Sequence, residues 1–102
     1  MATINYTFGD DGTSIGYTTP SIGYLDNGTL KKESLTQGTA DTGSISADDN
    51  TIICIVSDKS AGRVSATGAT LETVYNGGYD DDDGDGCVLA LLPTSDTVAL
   101  TF

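Results

Sequence analysis

The sequence predicts an all-β fold: a small antiparallel β-sandwich, jelly-roll or immunoglobulin-like, with an extended N-terminal arm. Three observations predict it. Gly or Thr interrupts almost every window, so apolar positions never repeat with helical spacing. The apolar residues come instead as short runs or alternations bounded by Gly, Asp, Asn and Ser. The texture is dominated by 16 Thr and 13 Gly, a strand-favouring β-branched residue and a turn former.

The first element is Thr3-Ile4-Asn5-Tyr6-Thr7-Phe8, an alternation with Ile4, Tyr6 and Phe8 on one face. A Gly/Tyr/Thr-rich stretch follows, with an echo at Ile15-Gly16-Tyr17 and Ile22-Gly23-Tyr24. It reads either as a loop whose tyrosines pack on the domain edge or as an arm that reaches another subunit. Residues 1–28 are therefore set apart as strand and arm, and residues 29–102 as the sandwich domain. Asp26-Asn27-Gly28-Thr29 is a turn, and Leu30 to Thr36, with Lys31 and Lys32, is an edge strand.

Ile52-Ile53-Cys54-Ile55-Val56 is a continuous apolar run between loop signals, Asp48-Asp49-Asn50 before it and Ser57 to Gly62 after it. It reads as a central strand buried on both faces. Arg63 to Thr67 alternates weakly, and Gly68-Ala69 marks a turn or bulge. Thr70 to Tyr75 puts Leu71, Thr73 and Tyr75 on one face and Glu72 and Val74 on the other. Cys87 to Leu92 is a second buried strand, stopped by Pro93, and Thr97 to Phe102 closes the chain with Val98, Leu100 and Phe102 on one side.

Charge and composition exclude several functions. Fifteen acidic side chains against 4 basic ones leave a net charge of −11, so there is no footprint for phosphate backbones and nucleic acid is not an expected partner. No apolar run approaches the ~18 residues of a membrane span, and the first residues lack the basic and apolar regions of a signal peptide. Histidine is absent, which removes Ser–His–Asp and Cys–His catalysis and every His-ligated metal site. The expectation is a protein that is not an enzyme. Cys54 and Cys87 lie in apolar runs and read as buried thiols in a reducing compartment. A bridge between them requires neighbouring strands and an oxidising setting.

Two segments resemble chemical motifs. Asp80-Asp81-Asp82-Asp83-Gly84-Asp85-Gly86 contains the opening half of a calcium loop, with Asp81, Asp83 and Asp85 as candidate Ca²⁺ ligands. The second half fails: Leu92 stands where a bidentate Glu belongs, and the flanks are strands, so this is no EF-hand. A solvated hairpin loop is the plainer reading. Asp41-Thr42-Gly43 spells the triplet of aspartic proteases, whose paired carboxylates need no histidine. Thr39-Ala40 replaces the bulky apolar pair that should bury the Asp, which argues against that class.

The order of segments over roughly residues 42–102 resembles small β-sandwich virion proteins of tailed bacteriophages. The likeness rests on Ile52 to Val56, the Val64-Ser65-Ala66-Thr67-Gly68-Ala69-Thr70-Leu71 segment running on to Val74, the Val88-Leu89-Ala90-Leu91-Leu92-Pro93 strand and the closing Thr97 to Phe102. It implies a jelly-roll-like sandwich of the kind used in head decoration (cement), tail and fibre proteins, and supplies no catalytic residue. The resulting expectation is a capsid decoration subunit, made in the host cytoplasm and carried on the virion. It would bind the major capsid protein as a homo-oligomer, a trimer around a symmetry axis. Tyr6, Phe8, Tyr17 and Tyr24 would anchor the arm on a neighbour. The alternative is a tail, fibre or carbohydrate-binding module with Ca²⁺ held by Asp81, Asp83 and Asp85.

Overall fold

Each apolar run or alternation in the described residues folds as a strand; the computed structural model describes residues 1–9, 19–36, 40–77 and 86–102. In chain order the strands are β1 (Ala2–Phe8), β2 (Ser21–Asp26), β3 (Thr29–Ser34), β4 (Asp41–Ala47), β5 (Ile53–Ser57), β6 (Ser65–Thr67), β7 (Ala69–Asn76), β8 (Cys87–Pro93) and β9 (Thr97–Thr101). They form a four-stranded sheet, β4-β1-β9-β6, and a five-stranded sheet, β3-β2-β5-β8-β7. The pairings are antiparallel apart from β1 with β9. The sheets pack together as a small sandwich, as expected. Ile4, Phe8, Ile45, Val98 and Leu100 from one sheet meet Ile22, Ile53, Ile55, Leu89 and Leu91 from the other. Phe102 closes one end against Phe8, ring centroids 5.4 Å apart, and Tyr6, 6.4 Å apart.

Among the described residues no extended N-terminal arm is found; residues 10–18, on which part of that reading falls, lie outside them. β1 lies inside the four-stranded sheet, paired over its whole length with β4 and over Thr3–Thr7 with β9. β2 is likewise held between β3 and β5. A boundary at residue 28 falls within the β2–β3 hairpin turn, where Asn27 (φ 52°) and Gly28 (φ 77°) take the left-handed conformations of a tight two-residue loop. Alternation of apolar residues in β1 is a burial signal, and burial here is internal. The lysine-bearing segment is an edge strand, as read: β3 ends the five-stranded sheet. Gly68 (φ 78°) is the corner at which the chain leaves β6 for the other sheet, and a Cβ there would press on the Thr97 carbonyl.

Three further readings are corrected. β5 is buried on one face alone: Ile53 and Ile55 are inside, whereas Cys54 is exposed and Ile52 stands 59% exposed. β8 repeats this, with Leu89 and Leu91 inside and Leu92 outside. Cys54 pairs with Ala90 and Cys87 with Ser57, so the two thiols point to opposite faces of the sheet. Neither is in a disulfide, one is exposed and one buried, and a bridge between them has no geometry. Finally, a bulge between Thr73 and Tyr75 shifts the register of β7, pairing Tyr75 with Val88 on the outer face instead of continuing the line of Leu71 and Thr73.

Candidate functional site

The candidate site is the outer face of the five-stranded sheet. Residues directly opposite in an antiparallel pair share a face, so the register builds this surface row by row. The central row runs Lys32 (β3), Gly23 (β2), Cys54 (β5), Ala90 (β8), Glu72 (β7). One step along lies Ser34, Ser21, Val56, Val88, Tyr75. On the other side Leu25 pairs with Leu30 and Leu92 with Thr70, with Ile52 two residues before Cys54. Gly23 contributes no side chain, and a Cβ placed there would lie 3.6 Å from that of Cys54, so the row dips at this point.

The β5 and β8 part of this face is apolar, and several of its side chains are exposed. Leu30 is 78%, Ile52 59%, Tyr75 53% and Leu92 39% exposed, and the bulge residue Val74 stands out beside them at 67%. Single exposed apolar residues need no explanation; a contiguous patch on one sheet face marks a contact surface. Among the described residues its charges are confined to the rim, Lys32 at one edge strand and Glu72 at the other. Among the described residues neither belongs to a salt bridge.

Three of the four expected partner anchors, Tyr6, Phe8 and Tyr24, are placed elsewhere. Tyr6 and Phe8 are buried in the chain's own core, and Tyr24 is partly buried and packs against it. Burial pushes the Tyr6 hydroxyl above its ordinary pKa, and the negative charges of Glu33 and Asp41 add to the effect. Tyr17 and the candidate calcium ligands Asp81, Asp83 and Asp85 lie outside the described residues. Among the described residues no three Cys, Asp or Glu side chains are grouped to hold a metal ion, and no helix is long and apolar enough to cross a membrane. Asp41, the acid of the protease-like triplet, is exposed at the end of edge strand β4.

A charged cluster is buried in the loop after β5. Asp58 and Lys59 look like a solvated turn in sequence, yet both are buried. Lys59 Nζ sits 3.3 Å from Asp58 Oδ1, donates to the Phe102 carbonyl at 3.2 Å and lies 3.9 Å from the centroid of the Phe8 ring. Its charge is thus met within the fold, and the lysine fastens the last residue to the first strand. An open polar recess of about 310 Å³, lined by Asp49, Asn50, Thr94, Ser95 and Asp96 among others, brings carboxylates and hydroxyls to one end of the sandwich, where the N-terminal amine pairs with Asp49 at 2.9 Å.

Comparison of the chain with protein-family models, with curated proteins and with solved structures finds no match. The assignment of function therefore rests on the surface itself.

Proposed function

We propose that this chain is a non-enzymatic assembly protein, a decoration subunit of a viral shell, that works as an oligomer and uses the outer face of the five-stranded sheet as an assembly surface. The observation that carries the reading is the contiguous apolar face of β5 and β8, with Ile52, Cys54 and Leu92 exposed. Burying one such aliphatic side chain contributes about 1.5–3 kcal/mol, so a handful of them favours association against its entropic cost. The surplus of acid over base supports the same role, since like-charged subunits stay apart except where an apolar face overrides the repulsion. The sequence likeness to phage virion sandwiches supplies the setting, a subunit bridging neighbouring major capsid proteins through many modest contacts.

Mass spectrometry and immunogold labelling of purified particles test it. The chain is expected on the head; particles without it would overturn the virion assignment. Added back to stripped particles, an Ile52→Lys/Leu92→Lys variant is expected to bind at least about tenfold more weakly than wild type, and equal binding would remove the face from assembly.

A further inference from the structure

We propose that the outer face of the five-stranded sheet docks a second copy of this chain, about a two-fold axis running parallel to β5. The inference rests on the reading of that face as an assembly surface and names its occupant. It comes from how charge is distributed across the central row. Lys32 lies on β3 and Glu72 on β7, the two outermost strands, and between them stand only Gly23, Cys54 and Ala90. The row is therefore positive at one end, apolar in the middle and negative at the other.

A two-fold axis along β5, the middle strand, exchanges the ends of the row. Lys32 of each copy then faces Glu72 of the other, so one interface makes the same ion pair twice. Rotation about an axis across the strands instead sets Lys32 over Lys32 and Glu72 over Glu72, which is repulsive. The charges thus select one of the two ways in which aligned sheets can stack face to face. Self-complementarity also answers the repulsion expected between two chains that each carry −11. Among the described residues no other acidic side chain belongs to these rows, and each lysine on the face meets a carboxylate.

The strand count sets the strength. Five strands about 4.8 Å apart and about 20 Å long give a footprint on the order of 500 Å² per copy. Stable complexes bury roughly 800 Å² per partner, so the dimer is weak and concentration-dependent. Cys54 lies at the centre of the row, on the axis, facing its own copy. With backbones of packed sheets about 10 Å apart, the two thiols are too distant for a disulfide but close enough for a short bismaleimide.

Sedimentation velocity on the purified full chain, from micromolar to millimolar concentration, tests the proposal in the absence of any particle. A monomer–dimer equilibrium is expected, together with bismaleimide cross-linking that Cys54→Ser abolishes. Lys32→Glu and Glu72→Lys are each expected to weaken the dimer about tenfold, and the double variant to restore it, because two exposed pairs are changed from attraction to repulsion. The second single variant separates pairing from net charge: it makes the chain less acidic, so general repulsion alone would strengthen the dimer. A chain monomeric throughout, a trimer, or a dimer indifferent to Lys32→Glu would each overturn the proposal. A monomer still found on purified heads would sink this inference while leaving the decoration role intact, and a dimer absent from heads would do the reverse.

Discussion

The two sheets of this sandwich share a core and differ on their outer faces. In the four-stranded sheet the outward positions are Thr3, Asn5 and Thr7 on β1, Thr42, Ser44 and Ser46 on β4, Thr97, Ala99 and Thr101 on β9, and Ser65 and Thr67 on β6. Most are small hydroxylated side chains that hydrogen-bond with water, and the threonines among them have the β-branched shape that strands favour. In the five-stranded sheet the corresponding positions on β5 and β8 are Cys54, Val56, Val88, Ala90 and Leu92. Folding alone requires one apolar face per sheet, and the four-stranded sheet stops there. Among the described residues the second apolar face of the other sheet is left exposed at Ile52, Cys54 and Leu92, and it is this face that we propose as a surface for assembly.

Neighbouring residues of β8 give the sharpest test of that difference. Leu91 is fully buried and Leu92 is 39% exposed. Leu91→Ala should lower the free energy of unfolding by about 2–5 kcal/mol in urea melts, through lost burial and the cavity left behind. Leu92→Thr should change it by less than about 0.5 kcal/mol under dilute, monomeric conditions. Equal costs would mean that the outer face is covered within the chain, and the contrast between the sheets would fail. Extending the change to Ile52→Thr/Val88→Thr/Leu92→Thr gives the five-stranded sheet the outer chemistry of its partner. Binding of a hydrophobic dye such as ANS, expected for wild type, should then fall to the background of a polar surface while the far-ultraviolet circular dichroism is kept.

Much of this was legible in the sequence, and the errors share a cause. Alternation in β1 and β9 and the Asn27-Gly28 turn identify strands and their inward residues directly, because period and turn chemistry are local. The runs Ile52–Val56 and Cys87–Leu92 announce two apolar faces, but a sequence does not say whether the second is covered by the same chain or by another. Reading it as burial within one chain hid the surface. Tyr6 and Phe8 were misassigned for the converse reason: aromatics near an end look available for a neighbour, whereas pairing with β4 and β9 is non-local and leaves no mark in residues 1–9. The bulge at Val74 and the buried Lys59 lack any signal of period or composition. Both are set by what lies opposite.

The sheets are also strapped together, and loosening the strap is the next smaller effect. Asp48 follows β4 of the polar sheet, and its carboxylate accepts from the amides of Asn27 at 2.7 Å and Gly28 at 2.8 Å, in the hairpin turn of the other sheet. The Asp48 amide in turn donates to the Leu25 carbonyl at 2.9 Å. Asp48→Ala removes two charge-assisted bonds at a solvent-exposed site and should cost about 1 kcal/mol. Hydrogen exchange should quicken in the β2–β3 hairpin and stay unchanged in β1 and β9. Loss of protection spread evenly over both sheets would show that the strap belongs to one cooperative core.

The smallest effect is confined to alkali and concerns the inner face of the polar sheet. Tyr6 is buried beside Phe102, and its pKa is raised above the usual value near 10 first by burial and then by the charges of Glu33 and Asp41. A phenol that ionises less readily when folded stabilises the native state fully below the unfolded pKa. That contribution is lost as pH rises from about 10 through the folded pKa, because the unfolded chain gives up the proton first. Lys31, raised by its hydrogen bond to Asp26, loses its pair over the same alkaline range, so the informative quantity is a difference between variants. Tyr6→Phe should lose less stability than wild type between pH 9 and pH 11, at a small cost at neutral pH, with unfolding followed by circular dichroism. Parallel alkaline losses in both proteins would mean that the Tyr6 hydroxyl reaches water, and that the inner face of this sheet is less completely closed than its outer chemistry implies.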